Sequence, residues 1–319
     1  MAEANESPTS QFDAAWKEAL RQYFKDFVEL CWPAIYGEID WSKGHKMLEQ
    51  EMHALIKKEE IGKRISDKLI QVWRKDGSEV WALIHLEVQF NNQSNFAERI
   101  YIYRYRIFDL YNKDIATMAI LIDGNANWRP HVYEKEFWGT KERLEYPIFK
   151  VLDFKDKKPT LEASNNPFAL VILAQLAAIE TSGHSEARLI TKFYLTKWLY
   201  LHGSKRLDIL NLLRFLDEIL VLPGNLTLEY HYQVKELEQE LKVSYMTSSE
   251  QNWLKQGMQQ GMQQGMQQGE ANLLINQLKA RFNEIPDEYM AQIHNADSTT
   301  ICQWAINFVN AQSLADVFN

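Results

Sequence analysis

The sequence predicts an α/β fold in which a mixed central sheet is flanked by helices and followed by a helical extension and a small helical module. Three observations predict it. Two apolar segments are joined by an Asp-Gly turn, segments with helical periodicity lie on either side of them, and a third apolar segment follows. The order helix, hairpin, helix, strand is typical of α/β proteins.

Length and composition are those of a globular protein. The 319 residues suggest about two domains, and the 46% apolar content is ample for a packed core. There is no run of about 18 apolar residues, so we predict no membrane span. The polar start of the chain does not have the pattern of a signal peptide, and Cys31 and Cys302 look like thiols of a reducing compartment. A cytoplasmic location follows as the expectation.

Charge alone argues mildly against a nucleic-acid binder, because the net charge is −8. Two windows are nevertheless basic: residues 57–75 hold seven Lys or Arg against three acids, and residues 99–113 hold four against one. Such windows are usually solvated surface. Their position on either side of the candidate acids described below favours a binding role.

The N-terminal residues 12–31 carry apolar side chains at helical spacing and predict one helix. Pro33 and Gly37 then break this pattern. A second helix is predicted over about Lys46 to Ile56.

The following segment predicts a β-hairpin. Its strands are Ile65–Trp73 and Val80–Phe90, and its turn is Lys75–Ser78, with the Asp-Gly pair supplying positive φ angles. The second strand is almost continuously apolar in its middle, which predicts cover on both faces.

A helix is predicted from Phe96 to about Asn112, followed by a strand over Thr117–Asp123. Further strands are predicted at Val132–Tyr133 and Ile148–Phe154. From Pro167 to about Leu222 the pattern becomes helical.

The C-terminal part contains the period-four repeat GMQQGMQQGMQQG at residues 257–269. It is either a helix stabilised by a partner, since its glycines disfavour an isolated helix, or a low-complexity spacer. Residues 271–319 predict a small helical module. Its expected core is Leu273, Leu274, Leu278, Phe282, Ile301, Trp304, Ile306, Phe308 and Val309.

The hairpin carries the residues that could do chemistry. Residues two apart share a face of a strand, so His85, Glu87 and Gln89 are expected on one side. In a hairpin turning at Asp76-Gly77, paired residue numbers add to about 153, which sets Asp67 opposite residue 86, give or take one. Asp67 and Glu87 are therefore expected within reach of one ion.

A divalent cation would explain why apolar strands carry these acids. Buried carboxylates repel each other, and Mg²⁺ or Mn²⁺ removes the repulsion while activating water. The structural alternative is that Asp67 caps a turn, Glu87 pairs with an arginine and Gln89 lies at a solvated strand end. A lone histidine such as His85 is more often a core residue than a base or ligand.

The string ISDKLIQVWRKDGSEVWALIHLEVQF resembles the hairpin of the PD-(D/E)XK nuclease superfamily, and more closely its branch of recombination-promoting nucleases and putative transposases. The helix FAERIYIYRYRIFDLY is similar to that branch as well. The resemblance implies a restriction-endonuclease-like core at residues 1–155. The helical extension is then expected at 156–245, the Gly/Met/Gln linker or helix at 246–270 and the small module at 271–319.

The resemblance assigns roles residue by residue. Asp67 matches the metal-binding aspartate, and Glu87 matches the first acid of the (D/E)xK element. Gln89 stands where the superfamily usually has lysine, which would orient water more strongly than a neutral amide. Lys68 is expected on the opposite face from Asp67 and does not replace that lysine. Glu51, with Glu49 as the other option, occupies the region that often supplies a further metal ligand.

The helix that follows the hairpin could hold the substrate. Arg99, Tyr103 and Arg106 share one helix face, and arginine pairs well with phosphate oxygens. The alternative is a salt-bridged surface stripe with a packed tyrosine. There is no Gly-rich phosphate loop, nucleophile elbow or cysteine pair for zinc.

We therefore predict a Mg²⁺- or Mn²⁺-dependent DNA endonuclease, which the resemblance connects with recombination or transposition. Catalytic residues would be Asp67, Glu87 and Gln89. Cleavage of both strands would favour a homodimer. The alternatives are an inactive nuclease-fold binding module that assembles through its C-terminal repeat and tail, and an interaction protein that acts through the repeat itself.

Overall fold

The computed structural model describes residues 8–48, 68–87, 95–113, 115–203, 205–245 and 248–318, with the backbone alone for 8–11, 83–87 and 248–264. The chain divides into two compact units, Met1–Tyr245 and Met246–Asn319.

The first unit begins with three helices, α1 (Pro8–Gln22), α2 (Phe24–Cys31) and α3 (Pro33–Glu38). The predicted single helix over 12–31 is two helices, because Tyr23 leaves helical geometry with φ −120° and ψ 32°. The expected break before Pro33 is confirmed, because α2 ends at Cys31 and Trp32 is not helical, whereas the expected break at Gly37 is wrong because Gly37 lies within α3. Proline fits the first turn of a helix, where its missing N–H is not needed, and it begins α3.

The hairpin is present with nearly the predicted strands, β2 (Lys68–Trp73) and β3 (Glu79–Glu87). Residues 65–67 and 88–90 lie outside the described part. The turn is as predicted except that Gly77, at φ 90°, is its only described residue with positive φ. Asp76 contributes to the turn through its side chain, because its carboxylate accepts a hydrogen bond from the backbone N–H of Ser78 at 2.8 Å.

The predicted helix over Lys46–Ile56 is wrong at its start. Lys46 and Met47 form β1, which pairs with Gln71 and Ile70 of β2. Pairing with a strand edge satisfies their backbone groups, and this tertiary contact outweighs a weak helical pattern. Residues 49–56 lie outside the described part of the chain.

The remaining strands are β4 (Ile115–Leu121), β5 (Val132–Phe137), β6 (Thr140–Glu145) and β7 (Ile148–Lys150). One sheet has the order β1-β2-β3-β4-β7, and β5 with β6 forms a separate hairpin. The pairs β1–β2 and β2–β3 are antiparallel, whereas β3–β4 and β4–β7 are parallel. The sheet is therefore mixed, as predicted. The strand expected over Ile148–Phe154 ends at Lys150, where a 3-10 segment, Val151–Lys157, begins.

Helices cover both faces of this sheet. Helix α4 (Phe96–Tyr111) packs on one face through buried Phe96, Ile100, Tyr103 and Ile107, which confirms the predicted amphipathic helix. On the other side, Gln175 of α6 (Phe168–Glu180) donates to the Ile122 carbonyl at 3.1 Å and accepts from the Trp16 indole at 2.9 Å. The predicted helical extension comprises α5 (Lys158–Glu162), α6, α7 (Ser185–His202), α8 (Arg206–Ile219) and α9 (Gly224–Leu241).

The second unit contains α10 (Ser248–Phe282), α11 (Asp287–Asn295) and α12 (Ser298–Asn310). The glycine repeat lies within α10, so it is helical. Leu274, Leu278, Ile301 and Trp304 are buried as expected. Leu273, Ile306 and Val309 are exposed and do not belong to the core, because they fall on the outer faces of α10 and α12. Among the described helices, none is both long and apolar enough to cross a bilayer.

Gly203 ends α7 at a site with no room for a side chain. A Cβ added there would lie 2.5 Å from Cγ1 of Ile209 and 2.7 Å from the Leu199 carbonyl oxygen. We expect Gly203→Ala to destabilise the unit by about 1–3 kcal/mol through overpacking. Chemical denaturation would measure this, with Gly37→Ala as the control because its Cβ meets open space. Equal stability of the two variants would contradict the prediction.

Candidate functional site

Of the predicted acidic residues, Glu87 is the one whose backbone is described, and it lies where neighbouring strands of the five-stranded sheet end. Glu87 is the last residue of β3, and it pairs in register with Leu121, the last residue of β4. Leu121 pairs in turn with Lys150, the last residue of β7. Three neighbouring parallel strands thus end in one row, which is where open α/β sheets place their ligands.

The hairpin register agrees with the prediction. Its paired residues, such as Lys68 and Ile84, have numbers that add to 152, within one of the expected value. Asp67, which immediately precedes β2 in the sequence, lies outside the described residues, as do Glu51 and Gln89. Glu87 and His85 are described by their backbone only. His85 pairs with Ala119.

The three predicted substrate residues have different surroundings on α4. Tyr103 is 3% exposed and packs in a cluster with Leu48, Leu69, Trp81 and Ile107, which gives it a packing role between the helix and the sheet. Arg99 and Arg106 are both partly exposed. The Arg99 guanidinium lies 5.4 Å from the centre of the Phe96 ring.

A buried ion pair that the sequence did not predict lies at the same edge of the sheet. The Lys150 ammonium donates to Oδ2 of Asp123 at 2.7 Å, with side chains 0% and 1% exposed. The Lys150 ammonium also donates to the Trp128 carbonyl oxygen at 3.2 Å. The other carboxylate oxygen, Oδ1 of Asp123, accepts from the backbone N–H of Asn125 at 2.8 Å. Since Asp123 follows β4 and Lys150 ends β7, the pair ties together the ends of two strands.

Tyr146 belongs to the apolar cluster that packs against Trp128, whose carbonyl oxygen accepts from Lys150. The Tyr146 ring is buried in this cluster with Leu121, and its buried hydroxyl has no hydrogen-bond partner among the described residues. Burial raises the pKa of this hydroxyl, and the nearby positive charge of Arg99 partly opposes that rise. A guanidinium and a buried phenol therefore lie near each other close to these strand ends.

A second ion pair lies in the segments that follow these strand ends. The Arg129 guanidinium binds the Asp153 carboxylate through two hydrogen bonds, the Nη1 to Oδ2 bond being 2.9 Å long. The hydrogen bonds from Arg129 lower the pKa of Asp153, because they favour its ionised form.

The signal for the buried pair was present in the sequence. Each residue is a charged side chain in an otherwise apolar segment, AILID for Asp123 and IFKVL for Lys150. The sequence alone predicts Asp123 only as the last residue of a strand. Pairing Asp123 with Lys150 requires knowing that β7 lies beside β4, and the β5–β6 hairpin separates the two strands in the sequence.

Within the described ranges, no group of three His, Cys, Asp or Glu side chains is arranged to hold a metal ion. Comparison with known proteins identifies no relative: no family model, curated protein or solved structure matches the chain.

Proposed function

We propose that the first unit is a metal-dependent nuclease that hydrolyses phosphodiester bonds in DNA. The observation that carries the proposal is the row of strand ends. Glu87 closes the central strand β3, and the antiparallel register brings the end of β3 to the same side of the hairpin as the beginning of β2. The residue before β2 is Asp67. We expect the two carboxylates to meet there.

The donor set fits a hard divalent cation. The carboxylates of Asp67 and Glu87 would be oxygen ligands, which Mg²⁺ and Mn²⁺ prefer, and Glu51 would be a further ligand. When bound, the cation would supply Lewis-acid activation of water and charge neutralisation at the phosphate. Arg99 and Arg106 on α4 would hold phosphate oxygens, whereas buried Tyr103 would keep that helix in place.

Gln89 would position the attacking water without adding charge. The buried pair of Lys150 and Asp123 would hold the ends of β4 and β7 rigid beside the site, and such support is what keeps catalytic groups in productive geometry. For breaks in both strands, two such sites in a homodimer would act on the two backbones.

A plasmid-nicking assay with the purified full chain tests the proposal. We expect supercoiled DNA to be nicked or linearised with Mg²⁺ or Mn²⁺, and to remain intact with chelator. A matched RNA substrate would show whether DNA is preferred. Absence of cleavage with either ion at excess protein would contradict the proposal. Tight DNA binding without cleavage would favour the alternative of an inactive binding module.

A further inference from the structure

The tip of the β5–β6 hairpin exposes two aromatic rings. Phe137 is 65% exposed and Trp138 is 93% exposed. Their rings stack, with centroids 5.2 Å apart and planes inclined by 9°. The hairpin therefore ends in a flat aromatic surface open to solvent.

The backbone at the tip makes tryptophan an unexpected residue there. Phe137 pairs with Thr140, so the turn has two central residues, Trp138 at φ 50° and Gly139 at φ 82°. Such a turn favours Asn-Gly, and a bulky residue at positive φ is strained. Because the ring is almost wholly exposed, packing within the chain does little to offset this strain. Backbone strain that packing within the fold does not offset is concentrated at functional positions in proteins.

The strands below the tip are polar and most of their charges are paired, with four acids against three bases in the two strands. Two salt bridges cross the hairpin, Glu134 to Arg143 at 2.7 Å and Glu136 to Lys141 at 3.2 Å. Lys135 and Glu142 are paired residues in the register of the two strands. The apolar surface is thus limited to two rings, far less than a stable protein interface needs. An exposed ring face is nevertheless enough for stacking with one nucleobase, and every base offers a face for stacking.

The base of the hairpin is joined to the helix that carries the candidate phosphate contacts. Tyr133 of β5 stacks on Tyr101 of α4, with ring centroids 4.4 Å apart and an interplanar angle of 20°. Arg99 and Arg106 lie on the same helix. The hairpin that ends in the aromatic rings therefore packs against the helix that carries the two guanidinium groups.

We propose that Phe137 and Trp138 form a stacking platform for an unpaired base of a nucleic-acid strand. This inference rests on the proposed function in taking nucleic acid as the ligand, but it does not require cleavage. Phosphates would be bound elsewhere, by the arginines of α4, and the charge-paired hairpin would contribute base stacking alone. Substrates with a single-stranded or frayed segment would then be preferred over intact duplex.

Binding of a fluorescent single-stranded thymidine oligonucleotide, measured with chelator present, tests the platform. The variant is Trp138→Asn, which removes the ring and places a favoured residue in the turn, so its thermal midpoint should not fall. We expect the full-length variant to bind roughly tenfold more weakly, as loss of one stacked base predicts. The slope of log affinity against log salt should be unchanged, because no phosphate contact is lost.

An abasic oligonucleotide of the same length is the matched control, since it keeps the phosphates and lacks the bases. Wild type and Trp138→Asn should bind it equally, and Trp138→Phe should restore most of the affinity for the thymidine strand. Three results would overturn the platform: no binding by wild type, equal binding of the thymidine strand by wild type and Trp138→Asn, or the same loss on the abasic strand. Trp138-dependent binding to lipid vesicles without binding to the oligonucleotide would also overturn it. A stacking effect without plasmid cleavage would refute only the nuclease proposal.

Discussion

Replacing Lys150 with methionine is expected to destabilise the first unit by about 3–5 kcal/mol, the usual result of removing one partner from a buried ion pair. Methionine is similar in size, so the main loss is electrostatic. The Asp123 carboxylate would remain 1% exposed, with the Asn125 amide as its remaining hydrogen-bond donor. In thermal denaturation this corresponds to a fall in midpoint of about 10 °C for a unit of this size.

Two further variants separate the ion pair from other effects of the substitution. Lys155→Met is the control, because Lys155 is exposed in the neighbouring 3-10 segment and should tolerate the change. The double variant Lys150→Met with Asp123→Asn should recover part of the lost stability, since it removes the unpaired charge. A Lys150→Met protein as stable as wild type would refute the structural role assigned to the pair.

Replacing Asp67 and Glu87 together with alanine is expected to lower the rate of Mg²⁺-dependent plasmid cleavage by at least about 10³-fold. The reason is that both proposed ligands of the cation are lost, and removal of a single group that stabilises the transition state already costs about 10²–10³-fold. Each single variant should lose nearly as much as the pair, because residues that act as one unit give non-additive losses.

Asp109→Asn provides the matched control for charge. Asp109 is an exposed acid on α4, and its replacement changes the charge of the unit without touching the hairpin. It should cleave at the wild-type rate. Cleavage that persists in the Asp67→Ala, Glu87→Ala double variant would mean that the catalytic groups lie elsewhere.

Local patterns in the sequence predicted much of the first unit. The hairpin, the helix after it and the strand at Ile115–Leu121 have strong periodicity or turn signals that tertiary contacts did not alter. The prediction of the second helix was wrong at its start, where two residues pair with the edge of a strand. Strand pairing satisfies their backbone hydrogen bonds better than a single helical turn would. The break at Tyr23 also lacked a signal, since no proline or glycine marks it.

The candidate site was predictable only where it is local in sequence. A hairpin register follows from its turn, so the strand pairing behind the Asp67–Glu87 hypothesis could be worked out from Asp76-Gly77. The contact between Asp123 and Lys150 could not, because it depends on which strand is the neighbour of β4. The exposed Trp138 was missed for a different reason: an aromatic residue in an apolar-rich sequence is expected to be buried.

Calorimetric titration of Mn²⁺ into the wild type and the Asp67→Ala, Glu87→Ala double variant tests the central claim most directly. We expect the wild type to show saturable binding of Mn²⁺ at its hairpin. The double variant should lose that binding although circular dichroism shows it to be equally folded. Identical heats and affinities for the two proteins would contradict the shared cation on which the nuclease proposal depends.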